Sequence, residues 1–390
     1  MDTQLKYSSY EKGIISHTYP EQSFWDNYTR LWSNSQNKSV FQSPHYLQFL
    51  ASKFKDQIAI YQFKIDKKLK GAAFFRKEGK VFHFLSDVKS DHNFFIIDRE
   101  CSQEQVQAFF DRFYEELKKN NWTLTLKNLA LWAPYHDVFE EAGKRSNLFW
   151  MCMEYSMCPV LEEESPEQLS ALVDKSREHR IKTKKLIDEQ DGVFEIFRAE
   201  EDLDVWVRQF CKFHIERWEG TPSPSKYQGE QAQIFLKECL SSWARDGVLV
   251  RFSIRKGEER IAFVIGLLEE GTLIHHATSY DAGYYKLSPG KVLTYLIIQW
   301  MKQMGLNKLD FGEGAEDYKF AYANKTYPLG RAFISSRANY PYIVNTHFIK
   351  LKRTQLQNNP RLRKLYHEAI WPVRRKVKSF FHSLFSLIFF

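Results

Sequence analysis

The sequence predicts an α/β (α+β) chain of two consecutive units, each a mixed central sheet flanked by helices, and three observations predict it. Residues 261–268 and 272–280 are apolar runs parted by Glu-Glu-Gly, followed by a loop, a helical period and a short strand at 307–311. Residues 58–126 show the same order roughly 190 residues earlier. Between them the run VLEEESPEQ, around 159–166, is acidic and carries prolines, the composition of a joint. The expected divisions are a first unit over 1–160, a second over 161–340 and a tail over 341–390.

In the first unit, Ser43-Pro44 opens a helical run with Tyr46, Leu47 and Leu50 on one side. Residues 58–65 alternate as a strand, 70–76 and 81–86 form a hairpin around Lys77-Glu78-Gly79, and 93–98 adds a further strand. A helix over 103–118 places Val106, Phe109, Phe110, Phe113 and Leu117 on one face. Asn120-Asn121 ends it, and 122–126 resumes as strand. This helix is preceded by Arg99-Glu100-Cys101-Ser102, without a glycine or proline, so a close phosphate contact is not expected there. The first unit is read as structural or substrate-facing.

The second unit opens with one helix over 168–188 that carries Arg177, His179, Arg180, Lys182, Lys184 and Lys185. Such a run either grips an anionic substrate or is a solvated face. Helices over 204–219 and 230–245 and a strand over 247–255 precede the hairpin, whose first strand is apolar throughout and expected to be buried on both faces. Then comes Ser288-Pro289-Gly290, an N-cap, a first helical residue and a position open to close approach. A helix start carries unpaired N–H groups and about half a positive charge, so it seats a phosphate or diphosphate without a metal, and Lys291 adds a full charge. Val292, Leu293, Leu296, Ile297, Trp300 and Met304 keep helical spacing, and Gly305 stands where a left-handed C′ residue belongs.

The run SPGKVLTYLIIQWMKQMGLNKLDFGEGAEDYK resembles the signature of the CelD/BcsL-type acetyltransferases of bacterial cellulose biosynthesis, in which an SPG-led helix is followed by a DFG-x-G strand end and a Tyr-Lys pair. These are relatives of the FemABX peptidoglycan aminoacyltransferases and share the GNAT fold. DKSREHRIKTKKLIDEQDGVFEIF resembles the family's basic helix, and HIERW its His-x-x-Arg-Trp helix end at His214, Arg217 and Trp218. The resemblance implies tandem GNAT-like (acyl-CoA N-acyltransferase) units. It also implies acetyl-CoA or another acyl-CoA as co-substrate, held by Thr278, Tyr280, Ser288, Pro289, Gly290 and Lys291. A saccharide or envelope-precursor acceptor would meet Arg180, Arg217, Trp218 and Lys319.

Acyl transfer from a thioester needs the nucleophile's proton removed, the oxyanion stabilised and the thiolate protonated, none of which requires a metal. The resemblance implies an oxyanion donor among the amides of Thr278 to Tyr280, and Tyr318 matches the tyrosine with which GNAT enzymes protonate the departing sulfur. For the base, Asp310 or Glu313 is expected, with His275 or His276 behind them, and His276 is taken as the catalytic histidine of the pair. Adjacent strand residues face opposite sides, so one histidine is structural. Asp310 has a second reading, as a cap on the next segment.

Composition sets the class. With 390 residues, 43% of them hydrophobic, the chain can bury one large core or two ordinary ones, and two domains are expected. Five cysteines without a CxxC pair read as free thiols in a reducing compartment, and the polar start MDTQLKYSSYEKG predicts no secretory signal and a cytoplasmic location. From residue 341 onward ten Lys or Arg face Glu368 alone, so the charge of the tail exceeds the whole chain's net charge of +8 and the part before it is close to neutral. That pattern argues against a DNA binder. The closing stretch, basic and then apolar, is either an interfacial anchor on the inner face of a membrane or a helix packed on the body. Two other functions stay open: FemABX-like aminoacyl transfer from tRNA, and a non-catalytic scaffold of a polysaccharide synthase.

Overall fold

A computed structural model of the chain describes residues 11–87, 90–221, 224–336 and 359–365. The basic tail therefore lies outside the described residues, apart from a short helix, Pro360–Leu365. The first half runs β1 (Glu11–Ser16), α1 (Gln22–Ser33), α2 (Pro44–Lys53), β2 (Ile58–Ile65), β3 (Lys68–Glu78), β4 (Val81–Phe84), β5 (Ile96–Ile97), α3 (Gln103–Lys119), β6 (Thr123–Ala130), α4 (His136–Arg145) and β7 (Phe149–Glu162). The second runs α5 (Pro166–Asp174), α6 (Arg177–Ile187), β8 (Gly192–Phe197), α7 (Leu203–Trp218), α8 (Glu230–Arg245), β9 (Leu249–Lys256), β10 (Glu259–Glu269), β11 (Thr272–Tyr280), α9 (Pro289–Gln303), β12 (Lys308–Asp310), α10 (Asp317–Phe320) and β13 (Lys325–Ser335).

The strands form one mixed sheet in the order β1-β2-β3-β4-β6-β13-β7-β12-β11-β10-β9-β8, with β5 paired to β3. The expected repeat is visible as topology. In the first half the β3–β4 hairpin passes through α3 to β6, which returns parallel to β4. In the second half the β10–β11 hairpin passes through α9 to β12, which returns parallel to β11. Each crossover helix buries its apolar stripe on the sheet, Phe109, Phe110 and Phe113 in α3 and Val292, Leu293 and Ile297 in α9. In the first copy residues 90–97, buried throughout, run beside the hairpin, and Asn93 bridges Leu129 of β6.

Two features tie the halves together. Strand β13 leaves the second half and inserts between β6 and β7. Strand β7 pairs with β13 over most of its length and with β12 at its end, where Asp310 faces Val160, so it enters the expected joint as strand and ends at Glu162. On one face of the sheet, helices from both halves share a core in which Trp25, Tyr28 and Tyr46 lie with Trp206, Phe210, Trp243 and Phe263.

Local departures have local causes. The single helix expected over 168–188 is two helices, because the Ser176 hydroxyl accepts the His179 N–H and starts α6 anew. The strand expected over 93–98 shrinks to Ile96–Ile97. No helix among the described residues is long and apolar enough to cross a membrane.

The shared strand makes the halves interdependent. Phe333 of β13 is fully buried, and Phe333→Ala is expected to cost about 3–5 kcal/mol. Chemical denaturation followed by hydrogen exchange should show β3 and β10 amides losing protection together; protection of β10 unchanged by the substitution would contradict the coupling.

Candidate active site

Strands β11 and β12 pair only over 272–274 and 308–310. Beyond that, β11 runs on to Tyr280 while the chain after β12 turns away, and a cavity of about 500 Å³ opens where they part. From β11 it is lined by His275, Thr278 and Tyr280, and from the start of α9 by Ser288, Pro289, Gly290, Lys291 and Thr294. Glu178 and His179 of α6, Arg217 of α7, and Tyr318 and Tyr322 complete the wall. All six residues expected to hold the cofactor thus meet in one cleft, together with Tyr318 and Arg217.

Its rim is arranged for an anion. Ser288 occupies the N-cap position in a left-handed conformation, φ 52° and ψ 53°, and its hydroxyl accepts a hydrogen bond from Lys182 Nζ (2.8 Å). It therefore does not cap through its side chain, contrary to expectation. Among the described residues the Gly290 N–H has no backbone partner, and a Cβ there would stand 3.3 Å from the Tyr280 ring. Glu178 Oε1 lies 2.6 Å from Lys182 Nζ and 3.2 Å from Lys291 Nζ. Hydrogen bonds from Lys182 and then Lys291 pull this carboxyl down to about 2. A negative group already sits between the two lysines beside the helix start, which shows what charge the place prefers.

The interior is neutral. His275 is 3% exposed, neither of its ring nitrogens has a hydrogen-bond partner, and burial lowers its pKa to about 4. Tyr318 keeps 40% of its surface open, yet desolvation by its surroundings raises its hydroxyl above the usual value, with Lys319 opposing. The Arg217 guanidinium lies on the Tyr280 ring, 4.4 Å from its centroid, a cation–π contact that holds the arginine against the cleft wall.

A β-bulge decides which histidine enters. Ile265 faces Ala277 and Gly266 faces His275, leaving His276 as the extra residue of β11. Regular alternation would put His276 on the side of Thr278 and Tyr280; the bulge puts His275 there and turns His276 to the opposite face. His276 instead donates its Nδ1–H to Asp91 Oδ2 (3.2 Å) and lines a second, smaller cavity with Tyr227 and Trp243.

The other expected site residues lie outside the cleft. Asp310 is buried and raised to about 6 by desolvation, and its Oδ1 accepts the Gly312 N–H (2.7 Å), the capping role. Glu313 accepts hydrogen bonds from Tyr155 (3.1 Å) and from the Asn128 amide (3.0 Å). The left-handed Gly312, φ 68°, turns the chain so that these carboxylates serve the loop and the first half. Lys319 spends its ammonium on the Gly312 carbonyl (3.1 Å), the Glu313 carbonyl (2.8 Å) and Glu316 (3.0 Å), so no donor is left for a substrate. Trp218 lies beside the His214 ring, and Arg180 is exposed on α6.

Asp91 was not foreseen. Besides its bond to His276 it accepts the Glu313 N–H (3.1 Å), and a Cβ on Gly312 would come within 2.7 Å of its carboxylate. Among the described residues no group of three or more His, Cys, Asp or Glu side chains is placed to hold a metal ion.

Residues 174–320, which contain this cleft, match the family model of the acetyltransferase (GNAT) domain. The chain carries a GNAT-type acetyltransferase domain. It is an acyltransferase, and its fold extends the GNAT unit on both sides of the match. FemX is similar at 11% identity and a TM-score of 0.57, over 83% of this chain and 98% of that one. L-PGS from Bacillus licheniformis is similar at 10% identity and 0.56, over 87% and 98%. The C-terminal domain of a putative lysylphosphatidylglycerol synthetase from Agrobacterium fabrum is similar at 11% and 0.56, over 84% and 96%. At these identities the likeness is one of fold. No curated protein matches the chain by sequence.

The buried imidazole supplies a test of the site. An unfolded histidine takes its proton near about 6.5, whereas folded His275 does so only near 4. The unfolded state therefore binds more protons between those values, and stability present above 6.5 is lost as pH falls toward 4. Nitrogen-15 spectra should show the His275 ring neutral at pH 5, and His275→Gln should flatten the stability loss in that window; a ring half-protonated near 6.5 would contradict the buried, neutral assignment.

Proposed function

We propose that the cleft binds acyl-CoA, with acetyl-CoA as the donor, and that the enzyme passes the acyl group to a hydroxyl or amine of a saccharide or envelope precursor. The observation that carries the donor assignment is the joining, in one cavity, of the free edge of β11 with the start of α9 and its flanking lysines. The acceptor class is supported by the resemblance of SPGKVLTYLIIQWMKQMGLNKLDFGEGAEDYK to CelD/BcsL-type acetyltransferases.

The donor's diphosphate takes the place of the Glu178 carboxylate, meeting Lys182, Lys291 and the Gly290 N–H. The thioester then lies along β11 with its carbonyl oxygen at the amides near Thr278, where developing negative charge finds fixed dipoles in a site sheltered from water. Attack by the acceptor on the carbonyl carbon breaks the C–S bond. The departing sulfur takes a proton from Tyr318, whose raised pKa keeps it protonated at neutral pH. Such an enzyme would work on the cytoplasmic side, with its basic tail drawn to anionic headgroups.

Calorimetry with acetyl-CoA tests the reading. Lys291→Ala should weaken binding by about 10- to 100-fold, the loss of one charge-assisted contact. Tyr318→Phe should leave binding intact and lower turnover about 10²–10⁴-fold. Failure of the wild-type chain to bind acetyl-CoA, accompanied by tight binding of aminoacyl-tRNA, would move the assignment to aminoacyl transfer; full activity of Tyr318→Phe would remove its role as the acid.

A further inference from the structure

His275 stands at the fork of the cleft. Ile274 and Asp310 are the last paired residues of β11 and β12, so His275 is the first residue of β11 beyond the pairing. Its side chain lines the 500 Å³ cavity, yet only 3% of the residue is exposed. Among the described residues neither ring nitrogen has a hydrogen-bond partner, and the Phe311 ring beside it, 5.7 Å away between centroids, offers none. A neutral imidazole carries one hydrogen-bond donor and one acceptor. Leaving both unmade in a buried place is costly, so the occupant of the cavity is the natural partner.

The opposite end of the cleft tells which part of the occupant arrives there. A Cβ at Gly290 would stand 3.3 Å from the Tyr280 ring, so Tyr280 marks the end at which the helix start seats a diphosphate. From Tyr280 back to His275 the strand spans roughly 15 Å, the reach of an extended pantetheine arm. A molecule whose diphosphate meets Gly290 and Lys291 therefore brings its thioester to the fork.

The chemistry of the ring narrows its part. With its pKa lowered to about 4 by burial, the ring has no second proton to give at neutral pH and is too weak a base to take one from an acceptor. The buried Lys319 ammonium also disfavours an imidazolium there. What remains is the ring N–H. In a neutral imidazole it polarises a carbonyl without surrendering its proton and brings no charge that would need a counter-ion.

We infer that His275 donates its ring N–H to the thioester carbonyl oxygen and is a catalytic residue of this enzyme, a side-chain partner of the strand amides in holding the oxyanion. The inference rests on the acyl-CoA reading of the cleft. As the acceptor oxygen or nitrogen bonds to the carbonyl carbon, negative charge grows on the carbonyl oxygen and the hydrogen bond from His275 strengthens. The double bond re-forms as the C–S bond breaks, and His275 keeps its proton throughout. The acceptor's proton passes to solvent, the thiolate takes the proton of Tyr318, and the tyrosinate regains one from solvent.

Infrared difference spectra of acetyl-CoA labelled with carbon-13 at the carbonyl, with calorimetry on the same samples, test it. The thioester carbonyl stretch should be lower in the wild-type complex than in water. In nitrogen-15 spectra acetyl-CoA should move the His275 ring signals, and CoA without the acetyl group should not. His275→Phe, which keeps a ring but no N–H, should leave the acetyl-CoA Kd within about tenfold. It should return the stretch toward its value in water and lower turnover at saturating acetyl-CoA about 10²–10³-fold. His275→Gln, which restores an N–H, should recover part of both. A stretch that is the same in wild type and His275→Phe, or ring signals that respond alike to acetyl-CoA and CoA, overturns the role and leaves the donor reading standing. Should His275→Phe fail to fold, the nitrogen-15 comparison on the wild-type chain decides alone. No acetyl-CoA binding by the wild-type chain overturns both.

Discussion

The cleft exists because β12 is drawn to β7 and away from β11. After three paired residues the chain leaving β12 keeps following β7: the Phe311 N–H bonds the Pro159 carbonyl and the Gly314 N–H bonds the Met157 carbonyl, each at 3.0 Å. Strand β7 is itself held by β13 along its length. A strand from the end of the described fold thus fixes β7, β7 claims the continuation of β12, and β11 is left with an unpaired edge where a donor can lie. Unpaired strand edges invite hydrogen-bonding partners, and here the edge borders the mouth of a helix start that favours anions.

Charge is distributed accordingly. At the rim are full charges, Lys182 and Lys291 around Glu178, exposed enough to exchange one anion for another. Inside are groups that stay uncharged at neutral pH, His275 through burial and Tyr318 through desolvation. The deeply buried ammonium of Lys319 is neutralised by Glu316 and two carbonyls and acts as a clasp on the loop from Gly312 to Glu316. A charged rim beside groups that stay uncharged at neutral pH suits a reaction that recognises a diphosphate and then transfers an acyl group.

Much of the second half was legible because its signals are local. Apolar runs around Glu-Glu-Gly, the Ser-Pro-Gly start, the periodicity of α9 and Gly305 each act within a few residues, and all six cofactor residues read from that stretch share the cleft. What escaped depends on partners far away in sequence. The exchange of His275 for His276 needs the register of β10 against β11, which places the bulge. Asp91 lies 185 residues from His276, and no spacing rule links them. The insertion of β13 between β6 and β7 is likewise non-local. Acids and bases beside a strand end look alike in sequence whether they face a cleft or close a loop; here Asp310 and Lys319 bond the loop from Gly312 to Glu316, which turns at the left-handed Gly312.

The most direct measurement is a crystal structure of the chain with acetyl-CoA. The account predicts the diphosphate within hydrogen-bond distance of the Gly290 N–H and Lys291, Glu178 moved off Lys291, and the thioester beside Thr278 between His275 and Tyr318. A cofactor bound elsewhere, with Glu178 still paired to both lysines and the free edge of β11 empty, would contradict it.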